Sequence, residues 1–150
     1  MSSARVLAGV PLSPHAALAL WANVDRWASF VEGFAHVIER SPGWPAVGER
    51  VVWESAPGGR GRVTEKVVAS TGERFTTLVF EAALTGHQTL RAVPTPDGAQ
   101  VELSLEYTLS KYGPLSAVAD ALFIRRARGD SLRRTLFRFG VEAEEEAGLR

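Results

Sequence analysis

The chain contains no cysteine, its only lysines are Lys66 and Lys111, and its formal net charge is zero. Without cysteine there are no disulfides and no thiolate chemistry, which makes the cytoplasm the default setting. The balanced charge removes any global electrostatic case for nucleic acid or an anionic membrane as partner. Long apolar runs are also missing, and no stretch approaches the roughly 18–20 residues of a membrane span. Residues 6–24 are apolar enough to resemble a secretory leader. Pro11 and Pro14 interrupt them, however, and Asp25 and Arg26 stand where small cleavage-site residues belong. His15, His36 and His87 are far apart and have no acidic neighbours at ligand spacing, so no metal and no cofactor are expected. Nucleophile-elbow, P-loop and dinucleotide patterns are absent too. Gly58-Gly59-Arg60-Gly61 reads as a hairpin turn with no helix behind it.

What is present fits one domain of 150 residues, 45% of them hydrophobic. Arg5–Val10 reads as a strand, and Ser13-Pro14 as an N-cap followed by proline at the first helical position. The helix runs from His15 to about Val24. Asp25 can cap a second, shorter piece through Trp27 and Phe30, which Gly33 stops. Strands follow at Phe34–Arg40, Gly48–Ser55, Gly61–Ala69, Arg74–Leu84, His87–Val93 and Ala99–Leu109, with Gly86 placed in a tight connection. Short turns at this spacing join antiparallel neighbours.

From Leu115 the apolar spacing changes to threes and fours: Leu115, Val118, Leu122, Leu132, Leu136, Phe139 and Ala143. One long helix is expected, with Arg125 and Gly129 interrupting its stripe and a break or kink at Gly129–Ser131 as one option. The class is therefore α+β, in the order β-α-α-β-β-β-β-β-β-α. A sheet that ends in one long helix has to curl around it, and a curled sheet gripping a helix tends to enclose a pocket.

Alternation assigns the faces. Val101, Leu103, Leu105, Tyr107 and Leu109 share the dry side of the last strand. Carried across the sheet, Gly61, Val63, Glu65 and Val67 face inward while Arg60, Arg62, Thr64 and Lys66 face water. Leu78, Phe80 and Ala82 are expected opposite Gln88, Leu90 and Ala92, and Val51, Trp53 and Ser55 complete the inner set. The 34–40 strand has two plausible inward faces.

Several segments resemble the START-like superfamily, also called SRPBCC or birch-pollen-allergen-like, in its bacterial polyketide cyclase/dehydrase branch. The marks are Pro14…Trp21…Asp25…Trp27, Pro42-Gly43-Trp44-Pro45-Ala46-Val47-Gly48, Pro57-Gly58-Gly59-Arg60-Gly61-Arg62-Val63-Thr64-Glu65 and Gly86-His87-Gln88-Thr89. The tail Phe123-Ile124-Arg125-Arg126…Ser131-Leu132-Arg133-Arg134-Thr135-Leu136-Phe137-Arg138-Phe139 also matches. The resemblance implies a helix-grip fold: seven antiparallel strands wrapped around the C-terminal helix, with an elongated hydrophobic cavity between. It implies binding of a lipid, quinone, polyketide or aromatic metabolite, and catalysis in a minority of members. Aromatase/cyclases of the superfamily place a tyrosine on the second strand and a serine and arginine on the fourth. The matching positions here are Phe34, Glu65 and Val67, which argues against that chemistry.

The expected cavity wall comprises Trp27 and Phe34, then Trp53, Val63, Glu65, Val67, Leu78, Phe80, Gln88, Leu90, Leu103, Leu105 and Tyr107 from the sheet. The last helix adds Leu122, Arg125 and Gly129, the glycine leaving room for a guest. Glu65 is the residue to watch. An unpartnered carboxylate between Val63 and Val67 would have a raised pKa suited to proton transfer, with Tyr107 as hydrogen-bond donor. The plainer account pairs Glu65 with an arginine from a neighbouring element. Gln88 and Tyr107 can orient a ligand or simply bond protein or water. The arginines at 125, 126, 128, 133, 134 and 138 form the one charge run. They read either as a solvated face, with Arg138/Glu142 as an i,i+4 pair, or as a docking surface for a membrane or acidic protein. The expected partner is thus a small hydrophobic molecule, with peripheral membrane contact left open. A cyclase/dehydratase or isomerase and an interaction module are the alternatives.

Overall fold

Strand alternation and helix capping carry over into the computed structural model, which describes residues 2–110 and 117–150, with side chains in the last helix from residue 122. Strand β1 (Ser2–Val10) leads to α1 (Pro14–Ala22), a 3-10 turn (Val24–Arg26) and α2 (Trp27–Phe30). Six strands follow: β2 (Phe34–Arg40), β3 (Arg50–Ser55), β4 (Arg62–Ser70), β5 (Arg74–Phe80), β6 (Leu84–Thr95) and β7 (Gly98–Leu109). Helix α3 (Ala117–Leu149) closes the chain. The Ser13 hydroxyl accepts a hydrogen bond from the Ala16 N–H at 3.2 Å, so the expected cap starts α1. The next turn is capped by Asn23, whose side chain accepts from the Asp25 N–H, and not by Asp25 itself. Gly33, at φ +76°, makes the exit from α2 that a side chain would strain.

All seven strands form one antiparallel sheet in the order β1-β7-β6-β5-β4-β3-β2. Chain neighbours from β2 to β7 pair as hairpins, and β1 returns to pair with β7. This is the helix-grip architecture, with α3 lying against β1 and α2. Val51, Trp53 and Ser55, then Val63, Glu65 and Val67, then Val101, Leu103, Leu105 and Tyr107 are buried on the inner face as alternation requires. The β2 strand is an exposed edge with two register shifts against β3, which explains why its pattern gave no clear inward side.

The β5 strand corrects the expected phase. Phe75, Thr77 and Val79 are its inward residues, while Leu78 is half-buried and Phe80 exposed. The chain turns at 81–83, earlier than expected, so Gly86 lies inside β6 opposite Tyr107. A Cβ on Gly86 would come within 2.4 Å of the Glu106 carbonyl oxygen. The glycine therefore serves close strand approach and not a turn.

Helix α3 runs without the break considered at Gly129, and a Cβ there would touch only the Arg133 guanidinium, at 3.7 Å. Leu115 lies outside the described residues, as does the side chain of Val118. The C-terminal half of α3 supplies Leu132, Leu136, Phe139 and Ala143 to the core. Phe139 meets Trp21 and Phe30 edge-on at 5.4 and 5.2 Å, and those two rings stack at 5.5 Å. This aromatic knot clamps α3 to α1 and α2. Phe139→Ala should therefore cost about 3–5 kcal/mol of unfolding free energy, read by urea denaturation. A loss under about 1 kcal/mol would show that the knot is not what holds the helix.

Candidate functional site

Glu65 is buried at the middle of β4, and among the described residues it forms no ion pair. Its Oε2 accepts from Trp53 Nε1–H at 2.8 Å, and its Oε1 accepts from the Thr77 hydroxyl at 2.9 Å. Both donors are inward residues of the flanking strands, so the sheet itself supplies the carboxyl with partners. Desolvation dominates and pushes the Glu65 pKa up. The Arg60 charge and the two hydrogen bonds pull it back down, and Glu81 adds to the rise. The expected isolated acid is thus half realised, being free of a salt bridge but hydrogen-bonded.

A cluster of charges that the sequence pattern did not reveal sits beside it. Arg60 lies in the turn between β3 and β4, outside strand alternation, and is folded back instead of facing water. Its guanidinium stands 5.0 Å above the Trp53 ring. Arg60 Nε and Nη2 both donate to Glu81 Oε1, at 2.9 and 2.8 Å. Arg128 Nη2 on α3 donates to the other oxygen, Oε2, at 2.6 Å. One carboxylate thus joins two hairpin turns to the helix. Burial, followed by the Arg60 charge, lowers the Arg128 pKa, against the opposing pull of Glu81 and Tyr107. Arg125, Arg126, Arg133, Arg134 and Arg138 are exposed, in keeping with a solvated face, but the expected Arg138/Glu142 pair is not made. Arg134 pairs with Glu32 at 2.9 Å and Arg133 with Asp130, while Glu142 pairs with Arg26 at 2.6 Å and not with Arg138.

Space is found at the mouth of the grip and barely within it. A groove of about 350 Å³ runs between α3 and the turns after α2, β3 and β5. Ala83, Phe123, Ile124 and Ala127 give it apolar walls, and Arg60, Arg128, Arg134 and Glu32 give it charge. Arg60 and Ser131 also border an interior void of about 20 Å³, where Trp27, Glu65 and Gln88 meet Trp21, Leu132 and Thr135. That void has room for about one water molecule.

Of the expected wall, Trp27, Glu65 and Gln88 line the interior void. Trp53, Val63, Val67, Leu90, Leu103 and Leu105 are buried in the packed core. Phe34 packs 5.4 Å from Trp53 and 6.2 Å from Trp27. Leu78 and Phe80 face away. Leu122 and Arg125 line an open surface depression with Phe123 and Arg126, and Gly129 borders neither the groove nor the void. Tyr107 is buried with no hydrogen-bond partner for its hydroxyl. In cross-strand register Glu65 pairs with Val79, which pairs with Gly86, which pairs with Tyr107. Glu65 and Tyr107 therefore stand three strand spacings apart, about 14 Å at ~4.8 Å each.

A family model described as polyketide cyclase/dehydrase and lipid transport matches residues 2–144. TTHA0849 from Thermus thermophilus is similar in structure, with TM-score 0.78 and 15% identity, over 97% of this chain and 99% of that chain. The di-domain ARO/CYC StfQ from the steffimycin biosynthetic pathway has TM-score 0.76 and 14% identity, over 97% of this chain and 51% of that chain. A Thalictrum flavum norcoclaurine synthase point mutant, in complex with a transition-state analogue, has TM-score 0.70 and 15% identity, over 97% of this chain and 95% of that one. At these identities the likeness is one of fold. No curated protein sequence matches the chain.

Because its folded pKa is raised, Glu65 holds its proton more tightly in the native state than in the unfolded chain. Stability should therefore fall as pH rises from the ordinary glutamate value of 4.5 through the higher native value. Glu65→Gln keeps an acceptor for Trp53 and an amide that Thr77 can accept from, but cannot ionise. Urea denaturation from about pH 4 to about pH 8 should find the variant equal to wild type at the acid end and more stable at neutral pH. Parallel curves across that window would mean that Glu65 is ionised and well compensated when folded.

Proposed function

The chain belongs to the polyketide cyclase/dehydrase and lipid transport family, and we propose that it binds a small hydrophobic molecule in the groove between α3 and the hairpin turns. The ligand class we infer is a lipid, quinone, polyketide or aromatic metabolite, held in the cytoplasm. One observation carries this reading. The groove is of ligand size, within the ~300–1,000 Å³ usual for such sites, and it shares Arg60 and Ser131 with the small void that Glu65 and Gln88 line. Apolar burial at about 25 cal/mol per Å² supplies affinity along Ile124, Ala127 and Ala83. The few polar groups supply orientation.

A second reading, catalysis of a cyclase, dehydratase or isomerase type, is supported by Glu65. Burial raises the pKa of this carboxyl above the ordinary glutamate value, which is the direction a general acid requires. The spacing of Glu65 from Tyr107 weighs against joint action on one reacting atom. Only an extended ligand would touch both.

Native mass spectrometry of protein purified from its own host tests the binding reading, with extraction of whatever co-purifies. One defined lipophile per chain supports it; a clean apo mass that takes up no added lipophile removes it. Ala127 is half-buried on the groove wall, and Ala127→Trp should fill the space. Uptake should weaken at least about tenfold, about 1.4 kcal/mol, with the melting temperature held near that of wild type. Undiminished uptake would place the ligand elsewhere.

A further inference from the structure

Charge in the groove wall is unbalanced. Arg60 and Arg128 share a single carboxylate, Glu81, whose two oxygens their hydrogen bonds divide between them. Their side chains are 15% and 14% exposed, so one net positive charge is held largely away from water. Arg134 cannot be counted towards this excess, because Glu32 pairs with it. Glu65 is a further acid whose charge Arg60 feels, but its oxygens bond Trp53 and Thr77, and among the described residues it forms no ion pair with Arg60. Arg128 Nε, a donor, is also buried without a partner. A desolvated cation with spare donors is costly unless something anionic completes it. The walls beside it are apolar, at Ala83, Ile124 and Ala127.

We propose that the ligand is an anionic amphiphile, whose carboxylate or phosphate lies on the groove side of the Arg60–Glu81–Arg128 cluster, against guanidinium N–H groups that Glu81 leaves free, while its apolar tail lies along the α3 side of the groove. This rests on the binding reading above and narrows it. Guanidinium groups suit the task, since their planar forks match the paired oxygens of such headgroups. Glu81 fixes both forks in advance, so little side-chain freedom remains to be lost on binding.

The test uses the full chain with dodecanoate, dodecanol, acetate and inorganic phosphate, followed by calorimetry and by Trp fluorescence, because Trp53 lies under Arg60. Dodecanoate should bind at least about tenfold more tightly than dodecanol, and acetate and phosphate should bind far more weakly than dodecanoate. Arg128→Met should weaken dodecanoate by about tenfold and leave dodecanol within about twofold. The variant retains a one-to-one Arg60–Glu81 pair. Should it fail to fold, the wild-type comparison of acid with alcohol decides alone.

Equal affinity for acid and alcohol would overturn the headgroup assignment while the binding reading stood. So would an Arg128→Met variant that weakens both ligands alike. Acetate or phosphate binding as tightly as dodecanoate would replace the amphiphile with a free anion. Binding of neither acid nor alcohol would remove both readings.

Discussion

The Glu81 carboxylate has no solvent-exposed surface, and two cations hold it in the charged form. Each comes from a different part of the chain: Arg60 from the turn after β3, and Arg128 from α3, while Glu81 itself lies in the turn after β5. The point where they meet fixes how far the helix can stand off the hairpin ends. It thereby fixes the width of the groove. The three charges are not equivalent. Without Arg128, Glu81 keeps Arg60, whose Nε and Nη2 both donate to Oε1, while Oε2 loses its donor. Without Glu81, two partly buried guanidinium groups face each other with nothing between them, the expensive case for a buried charge. The scaffold needs one arginine here, and the presence of a second is what gives the groove its chemical character.

The same geometry explains why the ligand space is at the mouth. The inner half of the grip is filled by Trp21, Trp27, Phe30, Trp53 and Phe139, whose rings meet edge-on or stacked at 5.2–6.5 Å. An elongated interior cavity was the expectation, and large aromatic side chains close it down to a void of about 20 Å³. Beyond Leu132 towards its N-terminus, α3 turns small and polar residues to the sheet, including Ala127, Arg128 and Ser131. There the helix reaches the hairpin turns through the Arg128–Glu81 contact, and the groove lies beside it.

The parts legible in the sequence were those governed by local rules. The alternation along β7 named its buried face correctly, the period of two placed Glu65 inward, and Ser13-Pro14 marked the start of α1. The β5 strand failed because its apolar alternation runs on through Leu78 and Phe80, which suggested the wrong face. The true phase is set by partners remote in sequence: Thr77 bonds Glu65, twelve residues away, and Val79 pairs with Gly86. Misplacing the turn at Gly86 instead of 81–83 concealed Glu81 in the middle of a supposed strand. The Arg60–Glu81 and Glu81–Arg128 contacts span 21 and 47 residues, so no local pattern announces them. The glycines around Arg60 were the one available hint, since Gly58 and Gly61 adopt positive φ in the turn that carries Arg60 back over Trp53.

Arg60 connects the groove to the buried acid. Its positive charge is the largest influence opposing desolvation at Glu65 and favours the ionised carboxylate. An anion seated against Arg60 would cancel part of that field, and Glu65 would then hold its proton more firmly. Linkage makes the effect mutual: a protonated Glu65 leaves Arg60 freer to attract the anion. A loaded groove would therefore raise the Glu65 pKa further. An anionic guest would accordingly favour Glu65 as a proton donor over Glu65 as a base. A carboxylate base would require the opposite arrangement, a cation or neutral ligand that left the Arg60 field intact, and the excess guanidinium charge at the groove disfavours such a guest.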